Sequence, residues 1–239
     1  MRGLLFLSAW SRARQNLVPI QQAIARFAEE SSDRMLAQIA DTEYGPHLSL
    51  GSESVERMIE AEREEFAGTL RRLNIDDDVE ELLFARSRME RVARELKARL
   101  FEGKEGSGQD DPEVEKGLRK GFSDPAEVDD WSVRRFEEIS VDKAREIGDD
   151  KFASRLGSLF EKRRMMREEG AEDGMALREM EDAFLREADL TNGGVAPLMA
   201  LMIRKMRVER MIRMAAGARR LDMDLAAVQY EISKIRGIV

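Results

Sequence analysis

Few of the residue types that commonly carry chemistry occur in this sequence. It has no cysteine and a single histidine, His47. The lack of cysteine excludes disulfides, thiol catalysis and cysteine-based zinc sites, and it is compatible with a cytoplasmic location. One histidine excludes a histidine-based metal site or a Ser-His-Asp triad centred on any other position. His47 itself lies in the turn sequence "YGPHL", which favours an ordinary turn residue over a general base.

Other catalytic patterns are missing as well. The stretch "NGGVAPL" is glycine-rich, but it lacks the GxxxxGK[ST] spacing that cradles a nucleotide phosphate. No helix offers the Glu-x-x-His pair of di-iron bundles, and carboxylates are too frequent for any one pair to be informative. The sequence therefore predicts a non-catalytic protein with no catalytic residue, cofactor or metal site.

The most unusual chemistry lies in "MIRKMRVERMIRMAAGARRLDM", residues 202–223. This stretch has seven Arg or Lys and two acids, whereas the whole chain has a net charge of -8. Guanidinium groups form charge-assisted hydrogen bonds with carboxylates. Candidate partner-interface residues here are Arg204, Arg207, Arg210 and Arg213.

Three interpretations of these arginines are open. They could pair with acids inside the protein, hold an acidic partner protein, or bind nucleic acid. Nucleic acid is disfavoured, since few aromatic residues are interleaved for base stacking and the chain is acidic. On a helical wheel, Met199, Met202, Ile203 and Met206 share one side, and Leu201, Val208, Met211, Ile212 and Ala215 lie roughly opposite. Such a helix is expected to be buried on two sides, with its methionines filling the core.

The elements around this helix are predicted to be helices too. The chain is 37% charged and 42% apolar, rich in good helix formers, and lacks the β-branched runs of strands. We expect about nine helices in an all-α, multi-helix bundle. The opening "MRGLLFLSAW" is interpreted as the start of an amphipathic helix and not as a signal peptide, because its apolar run is short and "SRAR" follows. No stretch is long and apolar enough to predict a membrane span.

Glycine, proline and acidic residues divide the chain. We predict a first helical module over 1–103, a connector over 104–124 and one or more further modules over 125–239. Helix starts are expected at Asp111-Pro112 and Asp124-Pro125, where an N-cap residue precedes proline. Further helices are expected over 125–139, 141–147, 149–169 and 172–189, with Gly148 and Gly170 as C-terminal caps.

Two long helices resemble each other. "RMERVARELKARLFEG" (88–103) aligns with "RVERMIRMAAGARRLD" (207–222), which pairs Arg91 with Arg210 and Arg94 with Arg213. This similarity suggests a duplicated helical module. It adds Arg91 and Arg94 to the candidate partner-interface residues.

Several motifs resemble those of a known family, the C/d-type rotor subunits of archaeal-type, bacterial V-type and vacuolar ATPases. "MLAQIADTEYGPHL" (35–48) is similar to the Thr-x-Tyr-Gly turn of that family. Near the C-terminus, Gly194 to Leu198 resemble the family's Gly-x-x-Pro-Leu start, Lys205 its lysine, and Arg210 to Arg213 its Arg-Asn-(Ile/Leu)-Arg core. Met211 stands where that core usually has Asn. The resemblance covers 1–103 and 172–236, and the segment between is too short for the family's third module.

The resemblance implies a fold and a role. The family's repeated helical modules form a funnel-like shape, which would be shortened here. Its members are non-catalytic central-rotor subunits that couple the central stalk to the membrane proteolipid ring, in ATP-driven ion transport or ATP synthesis. The implied partners are the stalk subunits and the ring, with no nucleic acid. The implied location is the cytoplasmic face of the membrane, without a membrane span. The alternative is a stand-alone helical adaptor or scaffold unrelated to rotary ATPases.

Overall fold

Helices make up nearly all of the protein that the structure, a computed structural model, describes. The described residues are 44–47, 54–104, 111–188 and 194–220. Within them 85% of residues are helical and no strand occurs, which confirms the predicted all-α class. A short 3-10 helix, Gly45–His47, is followed by α1 (Ser54–Arg72), α2 (Asp77–Phe101), α3 (Pro112–Leu118), α4 (Pro125–Glu146), α5 (Asp150–Glu168), α6 (Asp173–Ala188) and α7 (Ala196–Arg220). No helix in these ranges is both long and apolar enough to cross a bilayer.

Local sequence chemistry sets most helix starts and ends. The Asp111 carboxylate accepts from the Glu113 amide at 3.0 Å, and that of Asp124 accepts from the amides of Ala126 and Glu127 at 2.7 and 3.0 Å. Each aspartate is followed by proline in the first turn, so both predicted starts are confirmed. Gly148 and Gly170 adopt φ of 83° and 93°, the left-handed conformation that closes a helix, as predicted.

Two helix boundaries differ from the sequence prediction. Asp77 with Glu80 resembles a capping box and predicts a helix start at Asp77. The N-cap of α2 is instead Asp76, because the Asp76 carboxylate accepts from the Asp78 amide at 3.1 Å. The break expected at residue 140 is absent, and α4 is continuous from Pro125 to Glu146. The buried Ser140 satisfies its hydroxyl within the helix by donating to the Phe136 carbonyl at 2.7 Å, so it does not compete with the helical backbone.

The chain divides into two compact units. One takes in Met1–Ile75 and Lys162–Val239, and the other is Asp76–Glu161. The boundaries of these units differ from those of the predicted modules 1–103 and 125–239. The two modules remain a prediction. The sequence pattern also predicts helices before residue 42 and a last helix after Asp222. These and the opening amphipathic helix lie outside the described residues.

The unit Asp76–Glu161 is built on α2 and α4. Lys97 pairs with Asp129 and Lys143 with Asp78, so the two helices run antiparallel. The third helix, α3, lies within the predicted connector 104–124 and packs Gly117 against Leu96 of α2. The core comprises Met89, Val92, Ala93, Leu96, Val114 and Val128, flanked by half-buried Leu118, Phe122, Trp131, Phe136 and Ile139.

In the other unit, α7 packs against α6 and α1. Its apolar residues on both sides are buried, among them Met202, Met206, Leu201, Val208 and Ile212. The predicted burial on two sides is confirmed for these positions. It leaves little surface on α7 for its charged residues.

Candidate functional site

The charged residues of α7 lie inside the unit and not on its surface. Lys205, Arg207 and Glu209 are buried, with 1%, 6% and 0% of their surface exposed. Because α7 is apolar on two sides, these residues occupy the narrow strips that face α1 and α6. A buried charge is tolerated only where it is paired and hydrogen-bonded, so each must have a partner on a neighbouring helix.

Lys205 makes the most deeply buried of these pairs. Its ammonium group donates to the carboxylate of Glu62 on α1, and Glu62 is itself only 4% exposed. The same Nζ lies 5.0 Å from the centre of the Phe66 ring and 5.8 Å from that of Tyr44. Both separations are within the range of cation–π attraction. One cation is thus held by a carboxylate and two aromatic rings.

Arg207 ties α7 to α6. Its Nε donates to Glu181 Oε2 at 2.7 Å, its Nη1 lies 2.7 Å from Asp182 Oδ1, and its Nη2 donates to the Arg178 carbonyl at 3.3 Å. Burial alone would lower the pKa of Arg207, but the charges and hydrogen bonds of Glu181 and Asp182 outweigh burial and raise it. The guanidinium therefore stays charged.

Glu181 is shared by two arginines. Nη2 of Arg210 donates to both of its oxygens, at 2.8 and 2.9 Å, in addition to the contact from Arg207. Glu181 is 1% exposed. Two guanidinium groups therefore compensate one buried carboxylate, while Asp182 takes part of the excess positive charge.

Arg213 and Glu209 tie α7 to α1. Arg213 donates to both oxygens of Glu56, at 2.7 and 3.0 Å. Arg63 of α1 donates to both oxygens of Glu209. We call this whole set the ionic network; its members are Glu56, Glu62, Arg63, Glu181, Asp182, Lys205, Arg207, Glu209, Arg210 and Arg213.

The six arginines predicted as partner-interface residues fall into two groups. Arg207, Arg210 and Arg213 belong to the ionic network, as the internal-pairing interpretation expects, and Arg204 is half-buried on the same helix. Arg91 and Arg94 lie exposed on α2, in the other unit. Whether any of the six contacts a partner stays a prediction.

Sequence reasoning missed the acids of the network. Glu62 follows Met58 and Ile59 and precedes Phe66, at spacings that place all four on one helical face. Glu181 shares a face with Phe184 and Ala188 in the same way. An isolated acid within an apolar stripe was the available signal for a buried carboxylate. This signal does not stand out, because acids are abundant throughout the chain.

Among the described residues, no group of three or more His, Cys, Asp or Glu side chains could hold a metal ion. His47 lies in the 3-10 helix, with its Nε2 3.0 Å from Glu65 Oε2. In the described part of the chain, the charged residues of α7 hold this helix against α1 and α6.

No protein-family model, curated protein or solved structure matches this chain. The class of protein that the structure defines is an all-α protein with an ion-paired interior helix.

Proposed function

We propose that the chain is a non-catalytic central-rotor subunit of a V/A-type rotary ATPase, which couples the central stalk to the membrane proteolipid ring. The ordered sequence motifs support this role. The observation that carries it is the ionic network, which fastens α7 to both α1 and α6. Lys205, Arg210 and Arg213, three of the positions that match the family pattern, all belong to this network.

A torque-transmitting protein must resist sliding and rotation of its helices. Close packing makes a helical interior stiff, and buried ion pairs add a directional restraint. Separating one pair leaves a charge uncompensated in a buried place, which costs roughly 3–5 kcal/mol. Helix α7 carries several such restraints on two sides. Such a coupling role needs no nucleotide, metal or cofactor, and it places the protein at the cytoplasmic face of the membrane with the stalk and the ring as partners.

Affinity purification from gently solubilised membranes of the source organism tests this proposal. The tagged wild-type chain is expected to recover stalk and ring subunits in fixed proportion. A matched control is Arg134→Ala, which changes an exposed arginine of α4 and should recover the same subunits. Recovery of neither stalk nor ring subunits, at low as well as moderate salt, would falsify the proposal.

A second candidate is a stand-alone helical adaptor or scaffold. The internal pairing of Arg207, Arg210 and Arg213 favours it, since these arginines are satisfied without a partner acid. The same purification separates the two roles. An adaptor would recover a different protein and no rotor subunit, and its gene would lie outside an ATPase operon.

A further inference from the structure

The basic residues of α2 are not all matched by acids. Six Arg or Lys residues lie between positions 86 and 99. Four of them have a carboxylate partner within 3.1 Å: Arg86 with Glu90, Arg88 with Asp111, Lys97 with Asp129, and Arg99 with Glu95. The two that remain are Arg91 and Arg94.

Arg91 and Arg94 keep their guanidinium groups accessible. The Arg91 side chain is 56% exposed, and its Nη2 lies 3.8 Å from Asp111. Both oxygens of Asp111 already accept from Arg88, at 2.8 and 3.0 Å, so Arg91 is only a distant second cation there. Arg94 is exposed, and in the described ranges no carboxylate pairs with it.

These arginines share a helical face with an exposed aromatic residue. Arg91, Arg94, Ala98 and Phe101 are spaced i, i+3, i+7 and i+10, which places them along one side of α2. Phe101 is 39% exposed and Ala98 is half-buried. We call these four residues the α2 face. Arginine and aromatic residues are both enriched in protein–protein interfaces.

The charge of the α2 face indicates its partner. Arg94, with which no carboxylate of the described ranges pairs, and Arg91, which lies 3.8 Å from a carboxylate already bound by Arg88, form a local positive patch, and a guanidinium group matches a carboxylate in bidentate geometry. A symmetric contact between two copies of the α2 face is disfavoured because it would bring the same arginines face to face. Nucleic acid is disfavoured because a long polyanion would extend beyond this small patch along an acidic chain, whereas a short acidic segment would not. We propose that the α2 face binds an acidic segment of a different protein, with carboxylates on Arg91 and Arg94 and an apolar side chain over Phe101.

The proposal for the α2 face depends on the proposed function in one respect only, the expectation that the partner is a rotor subunit. The lack of cysteine makes site-specific cross-linking clean. A photo-reactive group is attached to the new thiol of Ala98→Cys, within the α2 face, and in a control chain to that of Ser154→Cys, an exposed position of α5. Both full-length chains are added to membranes of the source organism. We expect the Ala98→Cys chain to cross-link to an acidic segment, identified by mass spectrometry, and the Ser154→Cys chain not to do so.

Charge reversal then tests the two arginines. Arg91→Glu with Arg94→Glu in the Ala98→Cys chain should lower the cross-linking yield by at least about tenfold, since like charges would face each other. The matched control is Arg119→Glu with Lys120→Glu, which makes the same change in net charge at exposed positions of the same unit. The control should keep both the yield and the melting temperature. Helical content should be unchanged in both chains, while the melting temperature of the Arg91→Glu, Arg94→Glu chain should fall slightly, because a carboxylate at position 91 would lie close to Asp111.

The outcomes distinguish the α2 face from the proposed function. A charge-dependent cross-link to an acidic segment of a stalk or ring subunit supports both. The same cross-link to an acidic segment of another protein supports the α2 face and contradicts the rotor role. Recovery of stalk and ring subunits without a charge-dependent cross-link from position 98 overturns the α2 face alone. Cross-linking to a second copy or to nucleic acid also overturns it, as does the absence of any cross-link.

Discussion

At the scale of single residues, the Lys205–Glu62 pair is the most demanding contact of the described interior. Removing two charges from water costs several kcal/mol each, and their mutual attraction repays this only in good geometry. The rings of Phe66 and Tyr44 help, because their faces attract the cation. The pair therefore adds little net stability to the folded state. Any arrangement that separates the two charges is nevertheless strongly destabilised.

Lys205→Met is expected to destabilise the protein by about 3–5 kcal/mol, because Glu62 would lose its buried cation. Adding Glu62→Leu should recover much of this loss, since two apolar side chains can replace a buried pair. Urea denaturation of the wild type, the single variant and the double variant measures these free energies. A single variant as stable as the wild type would show that Glu62 finds another cation or becomes neutral.

Asp111 makes a second residue-scale contribution, and this one depends on pH. Burial would raise its pKa, but hydrogen bonds from Arg88 and the Glu113 amide outweigh burial and lower the pKa below the ordinary 3.8. The lowered pKa means that the folded state favours the ionised carboxylate. The resulting stability is fully present above pH 3.8 and is lost as the pH falls through the folded-state pKa.

We therefore expect Asp111→Asn to flatten the acid limb of the stability profile. Asparagine still caps a helix, so the change removes the charge and keeps the cap. The measurement is the free energy of unfolding at a series of pH values from neutral down to about pH 2. As a control, Asp129→Asn removes a carboxylate whose side chain is 58% exposed, and it should alter the profile little. Equal acid sensitivity of Asp111→Asn and the wild type would contradict the role given to Asp111.

At the scale of elements, α3 approaches α2 through a glycine. A Cβ built on Gly117 would overlap Leu96 Cδ1 and lie 3.0 Å from Leu96 Cδ2. Leu96 is fully buried, so its side chain has little room to move. The missing side chain of Gly117 is thus what lets this seven-residue helix lie against α2.

Gly117→Ala should destabilise the protein by about 1–3 kcal/mol through overpacking against Leu96, less a small gain in helix propensity. Gly157→Ala in α5 is the matched control, because a Cβ there meets no atom within 4 Å. It should stabilise the protein by up to about 1 kcal/mol. Thermal and urea unfolding of both variants distinguish them. A neutral Gly117→Ala would mean that Leu96 can shift at no cost.

The sequence predicted elements well where short-range chemistry decides them. Asp111 and Asp124 cap helices through their own side chains, and Gly148 and Gly170 end helices by their own backbone freedom. The prediction was wrong at Ser140, because whether a buried hydroxyl breaks a helix depends on the bond that it makes there.

At the scale of the whole molecule, the two compact units predict separate local stabilities. We expect Gly117→Ala to speed amide hydrogen exchange in α2, α3 and α4 and to leave α6 and α7 unchanged. A loss of about 1.4 kcal/mol gives roughly tenfold faster exchange at amides that open with that unit. Lys205→Met should give the reverse distribution, affecting α1, α6 and α7. Uniform acceleration across all helices in either variant would contradict two units.

The candidate site could be predicted only in part. Helical spacing predicted the two buried sides of α7, and composition showed its excess of arginine. It did not reveal which acids they meet, because Lys205 and Glu62 are separated by 143 positions and Arg213 and Glu56 by 157. Pairings over such distances depend on how helices pack, and no local pattern encodes that. The competition between Arg88 and Arg91 for Asp111 could not be predicted either, since Asp111 lies 23 positions from Arg88.

The order of charges along α1 and α7 has one more consequence. Lys205, Glu209 and Arg213 follow one another by four residues on α7, with charges plus, minus, plus, and they meet Glu62, Arg63 and Glu56 of α1, with charges minus, plus, minus. If α7 slid by one turn toward its N-terminus, Glu209 would face Glu62 and Arg213 would face Arg63. Two of the three attractions would become repulsions between like charges in a buried place, and Glu56 would lose Arg213, because position 217 is a glycine. The alternation of charge thus selects a single register of α7 against α1 and rejects its nearest alternative.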